Sequence, residues 1–250
     1  MDLKPAGTLQ EHMLWTYYGL RVALTIIGFG LPIALVVAGV VQGTWLEPSI
    51  SAYYYTPSVF GAFATRDIFV GGLVAAGFCL YLYKGFSDRE NIALNIAGVC
   101  AALVGLLPSG APGTHTTPIS VAHAASAILF FALIAYVSLF RSRDTLSLIP
   151  DPRQRAAFAR RYSVTGVMMI VSPLAALALA LWLEPFSAFR PLVFWVETLG
   201  IWSFAAYWYV KTREMRISQA EKRSLAAQLS RSIAPDPLGT ASSKQVEQIM

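Results

Sequence analysis

A few ionisable side chains fall where such groups are rare. Asp67, beside Arg66, opens an apolar run; Glu197 lies six residues into another; His123 is embedded in Ala122-His123-Ala124-Ala125-Ser126-Ala127; His115 sits between Gly113-Thr114 and Thr116-Thr117. An ionisable group inside an apolar segment is costly and faces a protein interior with a partner, so each is a candidate functional residue. Two imidazoles and two carboxylates also offer enough donors for a hydrolytic zinc, which takes three protein ligands and an open water position. The chain contains no HExxH and no GxSxG, so Ser51 is a candidate nucleophile by its position alone.

Each residue has a plainer alternative. Glu197 as a protonated or arginine-paired carboxyl would lock helices together, with Arg66 and Arg190 as candidate partners. His123, among small neighbours, suits a hydrogen-bonded packing role. His115 reads as a loop residue and His12 as incidental. Gly71-Gly72 and Ala75-Ala76-Gly77 suit close helix packing, since no strand-turn-helix context makes them a phosphate cradle.

The elements that must hold these residues are helices in a membrane. Hydrophobic residues make up 56% of the 250 and charged residues 13%, against roughly 25% charged in soluble domains. Crossing about 30 Å of hydrocarbon at 1.5 Å per residue takes about 20 apolar residues. Six stretches serve: 22–41, 68–83, 92–107, 119–140, 162–183 and 192–210, the second and third being short. Pro32 and Pro173 fall inside spans, where kinks are expected rather than breaks. Cys79 and Cys100 lie in apolar runs and read as small hydrophobes. The mixed, aromatic start before Tyr17 argues for a retained first span rather than a cleaved leader.

Orientation follows from lysine and arginine, which collect on the cytoplasmic side. Of the 19 basic residues, all but Arg66 and Arg190 fall before span one, between spans two and three, between spans four and five, or after span six. That alternation fits an even number of crossings with both termini inside. The basic segments suit anionic lipid head groups, and nucleic acid is not needed to explain them. From about Ala234 the chain is too polar to fold alone.

On the opposite side the loop Pro48-Ser49-Ile50-Ser51-Ala52-Tyr53-Tyr54-Tyr55-Thr56-Pro57 is the most unusual segment. Three consecutive tyrosines suit the head-group layer, or alternatively a lid in contact with lipid.

Pro48-Ser49-Ile50-Ser51, Arg66-Asp67-Ile68-Phe69-Val70-Gly71-Gly72-Leu73, Lys84-Gly85-Phe86 with Asp88-Arg89-Glu90-Asn91, His123 leading to Phe130-Phe131, and Phe194-Trp195-Val196-Glu197 before Ser203-Phe204 and Tyr207-Trp208 resemble bacterial six-span membrane proteins of unknown function. These are similar to the wider FRAG/DRAM/Sfk-type group. The resemblance runs from Gly19 to Lys211 and implies a six-helix bundle with a hint of lipid-related roles. Ala52 and tyrosines stand where eukaryotic members of the group often carry acidic and glycine residues. Alkaline ceramidase-like hydrolases, with Ser, Asp and three His around an intramembrane zinc, are the second comparison; this chain has two histidines on that side.

The expectation is thus an all-α integral membrane protein: a bundle of six transmembrane helices with N- and C-termini cytoplasmic in residues 1–211, and a basic helical extension and mobile tail in 212–250. Ser51, Tyr54, Arg66, Asp67, His123 and Glu197 are expected around a polar pocket at the outer leaflet that binds or senses lipid or another amphiphile. Membrane lipids are the expected partners and no cofactor is required. The alternative is a metal-dependent hydrolase holding zinc through His115, His123, Asp67 and Glu197. The inner halves of the spans are expected to lack ionisable groups, which leaves no path for transport.

Overall fold

A computed structural model describes residues 6–57, 65–110, 115–183, 191–223 and 227. Arg190, Glu184 and the tail beyond 227 lie outside the described residues, and with them those parts of the expectation. The described residues are helical and contain no strand. The helices are α1 (Ala6–Val41), α2 (Thr65–Leu82), α3 (Asp88–Leu106), α4 (Pro118–Tyr136), α5 (Pro152–Leu183) and α6 (Pro191–Ser218). Short helical turns at Ser51–Tyr55, Val137–Arg141 and Leu146–Leu148 link them.

Five of these, α1 to α5, are long and apolar enough to cross a membrane. α6 is also long, at 28 residues, but Glu197 and a series of Trp and Tyr residues dilute its apolar character and leave it outside the five. α1 starts at Ala6 rather than near 22, because nothing in the mixed segment before Arg21 breaks a helix. α1 and α5 run on through Pro32 and Pro173.

Local chemistry sets the ends. Gly43 adopts φ +83° just past α1, a left-handed turn open to glycine without strain, and the Thr44 N–H returns to the Gly39 carbonyl at 2.8 Å. Ser87 caps α3 by accepting from the Glu90 N–H, and Thr117 with Ser120 forms a reciprocal capping box on α4, with Pro118 in its first turn.

Neighbouring helices pack in chain order, and α6 returns to α1 to close the ring. Lipid tails are as apolar as leucine, so close backbone approach supplies the association that hydrophobic burial supplies in water. α2 and α3 show this at Gly77 and Gly98: a Cβ on Gly77 would lie 2.5 Å from the Gly98 carbonyl oxygen, and one on Gly98 would lie 2.6 Å from that of Gly77. The outward surface carries large apolar side chains, among them Ile26, Ile33 and Val37 on α1, Ile92 and Val99 on α3, and Val164, Val171 and Leu174 on α5. Two interior clusters result, a large one around Tyr83, Tyr162, Tyr207 and Trp208 and a smaller one around Tyr53, Phe69 and Phe194.

Candidate functional site

The smaller cluster borders a cavity of about 470 Å³ at the end of the bundle carrying the tyrosine-rich loop. Ser51 comes from that loop, His123 from the first turns of α4 and Glu197 from the first turns of α6, and all three line it. Most other walls are apolar: Leu31, Phe69, Leu73, Phe130 and Phe131, with Ala124, Ala127 and Ala176 leaving the space open.

The polar groups are held in place. Glu197 Oε2 accepts the Ile50 backbone N–H at 2.6 Å, tying the loop to a helix 147 residues away. His123 is buried, and its Nδ1 lies 2.8 Å from the Leu107 carbonyl; a carbonyl oxygen accepts, so Nδ1 carries the proton. Ser49 Oγ lies 3.3 Å from Ser51 Oγ and accepts the Ala52 N–H. Ser172 on α5 also lines the cavity and its buried hydroxyl has no partner among the described residues. No lysine or arginine is among the described lining residues.

The loop is stapled from within. Thr56 Oγ1 donates to Glu47 Oε1 at 2.9 Å, Thr65 Oγ1 to the Tyr53 carbonyl at 2.7 Å, and the Gly110 N–H to the Tyr55 hydroxyl at 3.0 Å. The three tyrosines do not share one head-group role. Tyr53 is fully buried against Phe194, Tyr54 meets Phe69 edge-on, and Tyr55 reaches across to the α3–α4 connection. Steric alternation in a tight helical turn sends consecutive rings in different directions, so the triplet fastens the loop. Burial pushes the Tyr53 phenol above its ordinary value of 10.0.

The other expected pocket residues are elsewhere. Arg66 and Asp67 are exposed at the start of α2, and the Arg66 guanidinium stacks 4.5 Å over the Tyr54 ring instead of meeting Glu197. Tyr54 faces Phe69 beside the cavity but does not line it, and His115 is exposed. Among the described residues no three His, Cys, Asp or Glu side chains are grouped to hold a metal ion. The zinc quartet of His115, His123, Asp67 and Glu197 is thus divided: His123 and Glu197 share the cavity wall, and the other two do not. Cys79 is half-buried, Cys100 is buried, and both are free thiols.

No family model, curated protein or solved structure matches the chain.

At the other end of the bundle, just beyond the span boundaries expected from the sequence, ionisable side chains are buried and paired. Lys211 and Glu214 of α6 are 1% and 0% exposed and form an ion pair at 3.1 Å. Lys211 Nζ also donates to Thr145 Oγ1 at 3.0 Å, while Thr145 Oγ1 and the Tyr162 hydroxyl each donate to Glu214 Oε2 at 3.1 Å. Ser142 donates to the Tyr207 hydroxyl at 2.9 Å. Arg21 of α1, buried, pairs with Glu221, and buried Glu90 accepts the Phe86 N–H at 2.9 Å. A lysine three residues before a glutamate looks like a solvated helix face when counted with a basic tail. The signal lay in the spacing of Tyr207, Lys211, Glu214 and Ser218, which recur at four, three and four residues on one buried face.

Proposed function

We propose that this chain is a six-span protein of the cytoplasmic membrane, with both termini inside, whose outer cavity binds a membrane amphiphile and thereby holds or senses it. The observation that carries the reading is the convergence of Ser51, His123 and Glu197, from three separate elements, on one largely apolar cavity. Such a mixture suits a ligand with a hydrocarbon body and a polar head. Among the described lining residues no cation stands beside the Glu197 carboxylate, which favours a head that donates hydrogen bonds, an amine or a hydroxyl, over a bare phosphate.

The sixth crossing has its own support. Leu192, Trp195 and Leu199 are exposed at helical spacing on α6, an outward apolar stripe continuous in character with those of α1 to α5. Kinship with the six-span group named above belongs to the same proposal.

Mass spectrometry of lipid co-purifying with the full chain tests the cavity. Glu197→Ala combined with His123→Ala is expected to strip the retained amphiphile, while Asp67→Asn, outside the cavity, leaves it in place. Equal lipid content in the double variant and the parent overturns the proposal. Membrane-impermeant thiol labelling of single cysteines, with Cys79 and Cys100 replaced, tests orientation: a cysteine at Ser147 is expected to be protected in intact cells and one at Ser49 to react.

A further inference from the structure

Beyond the outer cavity, the face between α1 and α6 at the basic end carries a second kind of site. A groove of about 380 Å³ runs there, with Val22 and Ile26 of α1 and Ile217 of α6 along its apolar length and Arg213 and Arg216 of α6 beside them. It shares Tyr18 and Arg216 with an adjoining cavity of about 470 Å³ that also takes in Lys222. From Tyr18 to Ile26 the α1 wall spans about 12 Å at 1.5 Å per residue, so one end is polar and the other lies deep among hydrocarbon-facing side chains.

The two arginines differ from their neighbours. Arg21, Arg141 and Lys211 each pair with a carboxylate. Arg213 and Arg216 are exposed and meet no carboxylate among the described residues. Arg213 donates to the Tyr209 hydroxyl at 3.3 Å. Arg216 donates to the Tyr18 hydroxyl at 2.8 Å and stacks 5.0 Å over that ring. Neutral phenols fix where the guanidinium groups stand without neutralising them, which leaves two oriented forks three residues apart on one helix. A phosphodiester oxygen pair matches such a fork, and the groove beside it matches an acyl chain.

We infer that this groove is a binding site for an anionic glycerophospholipid of the leaflet at the basic end, its phosphate on Arg213 and Arg216 and one acyl chain along Val22 and Ile26. The occupant is a lipid rather than free phosphate because the basic groups stand directly over an apolar channel. The site does not depend on the outer cavity.

The test is native mass spectrometry of the full chain in mild detergent, titrated with phosphatidylglycerol or phosphatidylcholine. Phosphatidylglycerol is expected to be retained preferentially, and an excess of inorganic phosphate to leave it bound. Arg213→Gln with Arg216→Gln is expected to weaken its retention by roughly tenfold or more, since each basic side chain near an anionic head group contributes measurably. Arg213→Lys with Arg216→Lys, which keeps both charges, should retain more than the glutamine variant. Val22→Trp, which keeps both arginines and blocks the apolar groove, should also lower retention, and it carries the test if the glutamine pair fails to fold. Asp67→Asn, exposed and outside both this groove and the outer cavity, should leave phosphatidylglycerol retention unchanged. Equal retention of the two lipids, displacement by phosphate, or full retention in Val22→Trp would overturn the inference.

Discussion

The two ends of the bundle handle buried polar groups in opposite ways. At the tyrosine-rich end a half-buried carboxylate, an imidazole and the Ser49 hydroxyl border open space, each held by a backbone partner, while the Ser172 hydroxyl has none among the described residues. At the basic end Lys211, Thr145 and Tyr162 converge on one carboxylate oxygen of Glu214 in a packed interior, with aromatic rings of Tyr83, Tyr207 and Trp208 around them. A polar group that borders a cavity is available to a ligand; one whose partners are side chains of the same protein fixes how helices meet. Ionisable residues in a membrane bundle are therefore not equivalent pointers to function, and the difference lies in what their remaining hydrogen-bonding capacity faces.

The contrast is sharpest at the ion pair. Lys211→Met strands the Glu214 charge in a dry interior and is expected to destabilise the protein by about 3–5 kcal/mol, read from denaturant unfolding in detergent. Adding Glu214→Gln should recover much of that loss, and a loss below about 1 kcal/mol for the single variant would mean that the pair does not organise this end.

Glu197→Ala removes one acceptor from the Ile50 amide at the edge of a cavity, so about 1–3 kcal/mol is expected, with the main effect on lipid content. If it costs as much stability as Lys211→Met, the distinction between ligand-facing and helix-locking groups fails. Ala127→Leu places methyl groups in the cavity itself. Space is present for them, so stability should change by less than about 1 kcal/mol while the retained amphiphile is excluded, as thermal melting and lipid analysis together would show.

The smallest effect concerns pH. Burial raises the Tyr53 phenol above 10.0, so the folded state keeps this proton longer than the unfolded chain does. Its contribution is fully present below the unfolded value and is lost as pH rises through the folded one. The melting temperature should therefore fall above about pH 10, and Tyr53→Phe should flatten part of that fall.

Much of the helical frame was legible because hydrocarbon imposes a length and excludes charge over it. Spans two to five match α2 to α5 within a few residues at most boundaries, apart from the earlier start of α5 at Pro152. Helix outside the hydrocarbon was legible only in part: a charged helical pattern after 211 foresaw the run of α6 to Ser218, whereas the extension of α1 back to Ala6 had no such signal. In the cavity, His123 and Glu197 could be foreseen because each is unusual for its depth, and Ser51 because its loop lies on the same side. Arg66 and Asp67 misled because adjacent residues on a helix point about 100° apart and their depth said nothing of direction. The Lys211–Glu214 pair was hidden for the converse reason, lying next to a charged tail in sequence but on the buried face of α6.

The Ile50–Glu197 link has a consequence for traffic into the cavity. Its donor belongs to the main chain, so no exchange of side chain at position 50 short of proline removes it. A head group approaching Oε2 must displace that amide or share the oxygen with it, and displacement loosens the segment from the end of α6. Loading the cavity and unlatching the loop would then be one event, visible from outside as faster amide exchange at Ile50.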